Sequence, residues 1–145
     1  MLAAGAATRY GGPKQVELLP AVLDALGRSQ IAEVVVVAGA HPLEVTASGA
    51  RLIQCAAWAD GPGASLRCGL AALGEEISHA LIVLADGPTL DPRAVDRLLD
   101  RAADGPVLAA SYDGVRSHPV LLARSAWAAV PDEGGRAFEA ELVDC

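Results

Sequence analysis

Aromatic side chains are scarce in this chain, with one Phe, two Tyr and two Trp among 145 residues. Single-stranded nucleic acid is bound by stacking bases on such side chains, so the platforms for that mode are missing. Lysine is scarcer still: Lys14 is alone, beside ten dispersed arginines, and the formal net charge is −7. A polyanion requires clustered cations, so a nucleic-acid partner is not expected, and any anionic ligand must be small and locally held. No apolar run approaches the roughly 20 residues of a membrane span, and no basic segment followed by a longer apolar stretch opens the chain. No membrane partner is expected, and the protein reads as cytoplasmic. Cysteine is limited to Cys55, Cys68 and Cys145, an odd number without C-x-x-C spacing. That suggests neither a disulfide framework nor a zinc ribbon, and it suits a reducing compartment with Cys55 and Cys68 as small buried hydrophobes.

What is present is aliphatic. Hydrophobic residues make up 52% of the chain, mostly Ala, Val and Leu, which suits a layered core, and the length fits a single domain spanning 1–145. Neither an internal repeat nor a low-complexity tract divides it. Short continuous apolar runs at Glu33 to Ala38, Arg51 to Cys55 and Ala80 to Ala85 read as strands covered on both faces, as in a parallel sheet. A further strand is expected from Val107 to Tyr112, and an extended segment at Val120 to Leu122.

Helical spacing lies between these runs. Leu19, Val22, Leu23 and Leu26 form one face, with Pro20 placed in a first turn and Gly27 at the end. Ser65 to Leu73 reads as a second helix. Asp91-Pro92 starts a third, with an N-cap followed by Pro at the first helical position. A short helix is expected around Ser125 to Val130. Alternating strands and helices imply right-handed crossovers and a three-layer α/β/α sandwich with a Rossmann-like, mostly parallel sheet.

The opening carries the strongest chemical signal. Leu2-Ala3-Ala4-Gly5-Ala6-Ala7-Thr8-Arg9-Tyr10-Gly11-Gly12-Pro13-Lys14 reads as a strand end running into a Gly-rich loop with two cations. Small residues let backbone N–H groups approach phosphate oxygens, and Arg9 and Lys14 can neutralise triphosphate charge. Pro13 before Lys14, with no Ser or Thr after it, rules out a Walker A loop, and no G-x-G-x-x-G fingerprint is present. Leu84-Ala85-Asp86-Gly87-Pro88 puts an acid immediately after a buried strand, at the edge where open parallel sheets bind ligands. Asp86 is therefore the first metal-ligand candidate, for a Mg²⁺ shared with substrate phosphates. Its alternative is an Asp capping the next turn.

The pattern L-A-A-G-x-x-x-R-x-G-x-P-K-Q resembles the signature loop of the MobA-like nucleotidyltransferases, which include molybdenum cofactor guanylyl- and cytidylyltransferases. That resemblance implies a nucleotide-diphospho-sugar transferase-like fold and nucleotide contacts from Leu2, Ala3, Ala4 and Gly5, with Arg9 and Lys14 on the phosphates. Arg9, Lys14 and Asp86 are the catalytic candidates. The family pattern has Met or Gln where this chain has Gly87.

Gly61-Pro62-Gly63-Ala64-Ser65-Leu66-Arg67 resembles a family segment beside the nucleobase, which makes Ser65 a nucleotide-contact candidate; its alternative is a helix N-cap. Tyr112-Asp113-Gly114-Val115-Arg116-Ser117-His118-Pro119 is similar to a Gly-x-x-Gly-His-Pro segment of the cytidylyltransferase branch. His118 is thus a candidate for the acceptor pocket, with a packed, hydrogen-bonded role as its alternative. Pro131-Asp132-Glu133-Gly134-Gly135-Arg136 resembles a Gly-Asp-x-Gly-Ala-Arg turn, and Asp132 becomes a second metal or acceptor candidate; a solvated acidic loop competes equally. His41 and His79 lack partners at metal-ligand spacing.

The resemblance implies transfer of a nucleoside monophosphate from CTP, favoured over GTP, to a phosphorylated small molecule such as a molybdopterin-type cofactor, with Mg²⁺ as cofactor and pyrophosphate released. Guanylyltransferases and sugar-phosphate nucleotidyltransferases share the loop and remain open. A non-catalytic carrier that delivers molybdenum cofactor to a client molybdoenzyme is the alternative from another class. The short first strand, the stretch after Gln15 and the end at Cys145 are abridged relative to the family, so the expectation is that the sequence omits residues at these places.

Overall fold

A computed structural model of the chain describes residues 1–4, 14–41, 43, 45, 49–85 and 90–145, and of residues 14–17 the backbone only. The described elements run β1 (Leu2–Ala3), α1 (Lys14–Gly27), β2 (Val35–Ala38), β3 (Arg51–Gln54), α2 (Pro62–Ala71), β4 (His79–Ile82), α3 (Pro92–Asp100), β5 (Val107–Tyr112), β6 (Val115–Ala123) and β7 (Glu141–Asp144). Single turns of 3-10 helix lie at Trp58–Asp60 and Gly135–Ala137, and a longer one at Arg124–Ala129.

β1, β2 and β3 form one parallel group in the order β1-β2-β3, and a second group runs β4-β6-β5-β7. A parallel bridge between Leu2 and Leu84 joins them, giving the order β3-β2-β1-β4-β6-β5-β7. Only β6 is antiparallel to its neighbours β4 and β5, while β7 returns parallel to β5. The expected mostly parallel α/β architecture is what the chain forms.

Side-chain alternation along the strands separates the layers. On one face Ala3, Val36 and Ala38 pack with Leu19 of α1, and Val83 packs with Val22, Leu26 and Val95 of α1 and α3. On the other, Ala4, Val37 and Cys55 pack together with Cys68 of α2, and Ala80 and Ile82 pack with Leu66 and Leu70 of the same helix. The sheet is thus covered on both sides, which explains why its strands read as continuous apolar runs.

The expected short extended piece at Val120 to Leu122 is the inner part of nine-residue β6, whose polar outer half hid its length. Pro20 is not in a first turn. α1 begins at Lys14, so Pro20 falls inside the helix, where its side chain is exposed and its missing N–H removes one intrahelical bond. α2 begins at Pro62 rather than Ser65, because Gly61 supplies the N-cap and Pro62 the first turn. Asp91 caps α3 as expected, its carboxylate accepting from the Arg93 N–H at 2.8 Å.

Cys55 and Cys68 are corrected from separate buried thiols to a disulfide, with Cα atoms 5.9 Å apart. Cys55 follows β3 and Cys68 lies in α2, packed over that strand's end. They stand 13 positions apart in sequence, so only tertiary packing brings them within bonding range. Cys145 is free.

Candidate functional site

The carboxyl ends of β1, β2, β3 and β4 are held together tightly. Leu2 donates its N–H to Val83 O (2.8 Å), and Ala85 donates to Leu2 O (3.0 Å). On the other side Ala40 donates to Ala4 O (3.1 Å), and Cys55 to Ala38 O (2.8 Å). The Gln54 amide reaches Gly39 O at 2.8 Å. Gly39 cannot carry a side chain, because a Cβ there would lie 2.5 Å from Trp58 Cβ and 2.9 Å from Ala4 Cβ. The start of the Gly-rich segment after Ala4 and the start of the Asp86 segment after Ala85 therefore leave the sheet from adjacent central strands, at the edge where open α/β sheets bind ligands.

Ala3 and Ala4 are buried, and with half-buried Leu2 they are strand and core. Gly5, Arg9 and Asp86 lie outside the described residues, and Lys14 is described only as the first residue of α1. Ser65 is the fourth residue of α2 and 5% exposed, so little of its surface is open to a ligand. His118 is half-buried on β6, two residues before Val120, the partner of Ile82, and so lies on the strand flanking β4.

Asp132 meets the start of α2. Its Oδ1 accepts from Arg67 Nη2 at 2.6 Å, and the same guanidinium nitrogen donates to Val130 O at 3.0 Å. Gly63 donates its N–H to Asp132 O at 2.9 Å. A Cβ on Gly63 would fall 2.2 Å from Pro131 O, so the two segments touch backbone to backbone. At the other end of this loop Arg116 donates to the carbonyls of Phe138 and Gly135, the latter at 3.1 Å. No spacing in the sequence links Arg67 or Arg116 to this loop, so neither task is visible without the fold.

Among the described residues no group of three or more His, Cys, Asp or Glu could hold a metal ion. A cavity of about 410 Å³ lies instead at the amino-terminal ends of β2 and β4, lined by residues including Met1, Ile31, Val34, Leu70, Leu81 and Leu99. Its lining is mostly apolar and offers no cluster of cations for a triphosphate, so the carboxyl edge remains the candidate site. Met1 borders that cavity, and its nitrogen donates to Val35 O at 2.8 Å. Among the described residues no helix is long and apolar enough to cross a membrane.

An open, mostly parallel sheet covered by helices on both faces defines a protein of the Rossmann-like α/β class. The chain belongs to the MobA-like NTP transferase domain family, whose model matches residues 1–143. Similar solved structures include Rv0371c from Mycobacterium tuberculosis H37Rv, with TM-score 0.81 and 20% identity over 99% of this chain and 85% of that one. The same protein in complex with manganese gives TM-score 0.74, again at 20% identity over 99% of this chain and 85% of that one. The Rv0371c homolog from Mycobacterium sp. strain JC1 gives 0.82 at 19% identity, over 100% of this chain and 83% of that one. At such identities the likeness is one of fold. No curated protein matches the chain in sequence.

Proposed function

We propose that this protein is a nucleotidyltransferase that moves a nucleoside monophosphate, CMP in preference to GMP, from a nucleoside triphosphate to a phosphorylated small molecule of the molybdopterin type, releasing pyrophosphate. Family membership supports the reaction class. The observation that carries the reading is the pairing of Leu2 with Leu84, with the Ala85-to-Leu2 hydrogen bond beside it. It starts the Arg9 and Lys14 loop and the Asp86 segment from neighbouring strands.

In this reading a phosphate oxygen of the acceptor attacks the α-phosphorus of the triphosphate, a P–O bond forms, and the bond to the leaving pyrophosphate breaks. An ionised phosphate needs no strong general base, so the work is positioning and charge stabilisation. Arg9 and Lys14 bind the triphosphate oxygens and offset the charge that develops on the leaving group. Asp86 would hold a divalent ion, Mg²⁺ in this proposal, which when bound neutralises phosphate charge. The manganese complex of Rv0371c is consistent with divalent metal use within this fold.

The lean toward CTP rests on Pro13-Lys14-Gln15 and Ser117-His118-Pro119. The test is pyrophosphate release with each of CTP, GTP, ATP and UTP, with Mg²⁺ and molybdopterin as acceptor. Acceptor-dependent release with CTP is the expected result. Tight binding of cofactor with no release from any triphosphate would overturn it in favour of a carrier for a client molybdoenzyme.

A further inference from the structure

β1 lies between β2 and β4 and pairs with both, but it meets only their carboxyl halves. The Met1 nitrogen donates to Val35 O at 2.8 Å, Val37 donates to Met1 O at 2.9 Å, and Leu2 donates to Val83 O at 2.8 Å. Farther toward the amino ends, Arg51 still donates to Val34 O at 2.9 Å, and β4 pairs with β6 back to His79, opposite Ala123. There β2 and β4 run two strand spacings apart, roughly 9.5 Å, with no described strand between them. This slot in the middle of the sheet is the cavity of about 410 Å³.

Its walls suit an extended backbone. The peptide groups of a strand point alternately to its two neighbours. Val34 O faces β3, so the Val35 N–H faces the slot, and Val83 O faces β1, so the Val83 N–H and the Leu81 carbonyl face it from the other side. Val35 and Val83 are 7% and 4% exposed, and a buried amide of this kind requires an acceptor. Above and below the sheet the slot is apolar, with Leu26, Ile31 and Leu99 toward α1 and α3 and Leu66, Leu70 and Leu73 toward α2.

We propose that the slot holds a continuation of β1, an extended apolar segment of the same polypeptide joined to Met1 on its amino side. The register of Leu2 with Val37 and with Leu84, carried back, sets the first position ahead of Met1 opposite Val35 and Ile82, and the second opposite Val34 and Leu81. The first then donates to Leu81 O and accepts from the Val83 N–H, and the second accepts from the Val35 N–H. Met1 packs toward α1 and α3 and Leu2 toward α2, so alternation turns the first position onto Leu66 and Leu70 and the second onto Leu26 and Leu99. Both are apolar in this proposal, with β-branched side chains favoured. Continuity selects this occupant: β1 already fills the carboxyl half of the same slot. A separate peptide or a second copy would have to enter the centre of a sheet covered on both faces and lose its freedom of motion in doing so. The segment would anchor the strand from which the Gly-rich loop departs, whatever reaction that loop serves.

The test is made on the protein purified from the cells that produce it. Intact mass and sequencing of the amino-terminal peptide are expected to find residues ahead of Met1, apolar at the two positions next to it. Hydrogen exchange then compares that form with the chain that begins at Met1. The Val35 and Val83 amides are expected to exchange about 10-fold more slowly, or slower still, in the longer form. Val37 and Ala85 have the same acceptors in both forms, so their amides should slow by a smaller factor, which separates a filled slot from a general gain in stability. A natural protein with the mass of the 145 residues alone, or charged residues at the two positions, overturns the proposal. So does exchange at Val35 and Val83 that is unchanged, or slowed no more than at Val37 and Ala85.

Discussion

Ala85 donates its backbone N–H to the carbonyl of Leu2 at 3.0 Å, and through that bond the two central strands of the sheet end side by side. Ala85 is fully buried, and Asp86 is the next residue along the chain. Binding of a triphosphate and a divalent ion at one edge follows from this pairing if Lys14 and Asp86 act as proposed. Lys14→Ala and Asp86→Ala should each lower turnover by about 100-fold or more with melting temperatures close to the parent. Pyrophosphate release under saturating substrate measures this; near-parental turnover in either variant removes that residue from the mechanism.

Gly63→Ala should be costly without touching any reacting atom. The added Cβ meets Pro131 O at 2.2 Å and Asp132 O at 2.7 Å, both backbone atoms that cannot swing aside. Displacing the loop should cost about 1–3 kcal/mol, the usual range for overpacking, readable in chemical denaturation. A parental midpoint would show that the loop does not rest on α2.

Asp91→Ala should destabilise α3 through loss of its N-cap bond to Arg93, seen as a lowered melting temperature. The Arg93 guanidinium and backbone N–H hold the Asp91 carboxyl below its ordinary value. A lowered carboxylate pKa gives stability that is present above the unfolded value, near pH 4, and is lost as pH falls through the folded one. The difference between parent and Asp91→Ala should therefore shrink in acid below about pH 4. A difference that grew there would reverse the sign of the argument.

The Cys55–Cys68 bond closes a loop across a separation of 13 residues and joins β3 to α2. Thiol titration of the denatured chain should find only Cys145 reactive before reduction and all three cysteines after it. Reduction should lower stability by about 3 kcal/mol on the chain-entropy estimate. Three reactive thiols in the unreduced protein would contradict the bond.

The fold was legible in the sequence wherever periodicity was continuous. Val34 to Val37 and Leu81 to Leu84 could hardly be anything but covered strands, and Asp91-Pro92 announced its helix through cap chemistry that acts within two residues. Ser65 misled because its polar side chain looks like a cap, whereas Gly61 and Pro62 had already started the helix. The outer half of β6 was missed because Arg116, Ser117 and His118 break the apolar run. Arg67, Arg116 and the disulfide were illegible for one reason: each joins segments separated by 13 or more residues, and a pattern within one segment carries no information about such a contact. The Gly-rich loop and Asp86 carry the resemblance to the transferases and lie outside the described residues. Their meaning lies in residue type and local order rather than in packing.

Thermal unfolding with CTP, GTP, ATP and UTP, each with and without Mg²⁺, puts the proposed donor site to the most direct test. A ligand that binds only the folded chain at a hundred times its dissociation constant adds about 2.7 kcal/mol. The proposed function predicts a Mg²⁺-dependent rise in melting temperature with CTP, reduced in Asp86→Ala. No rise with any triphosphate, with or without the metal, would contradict it.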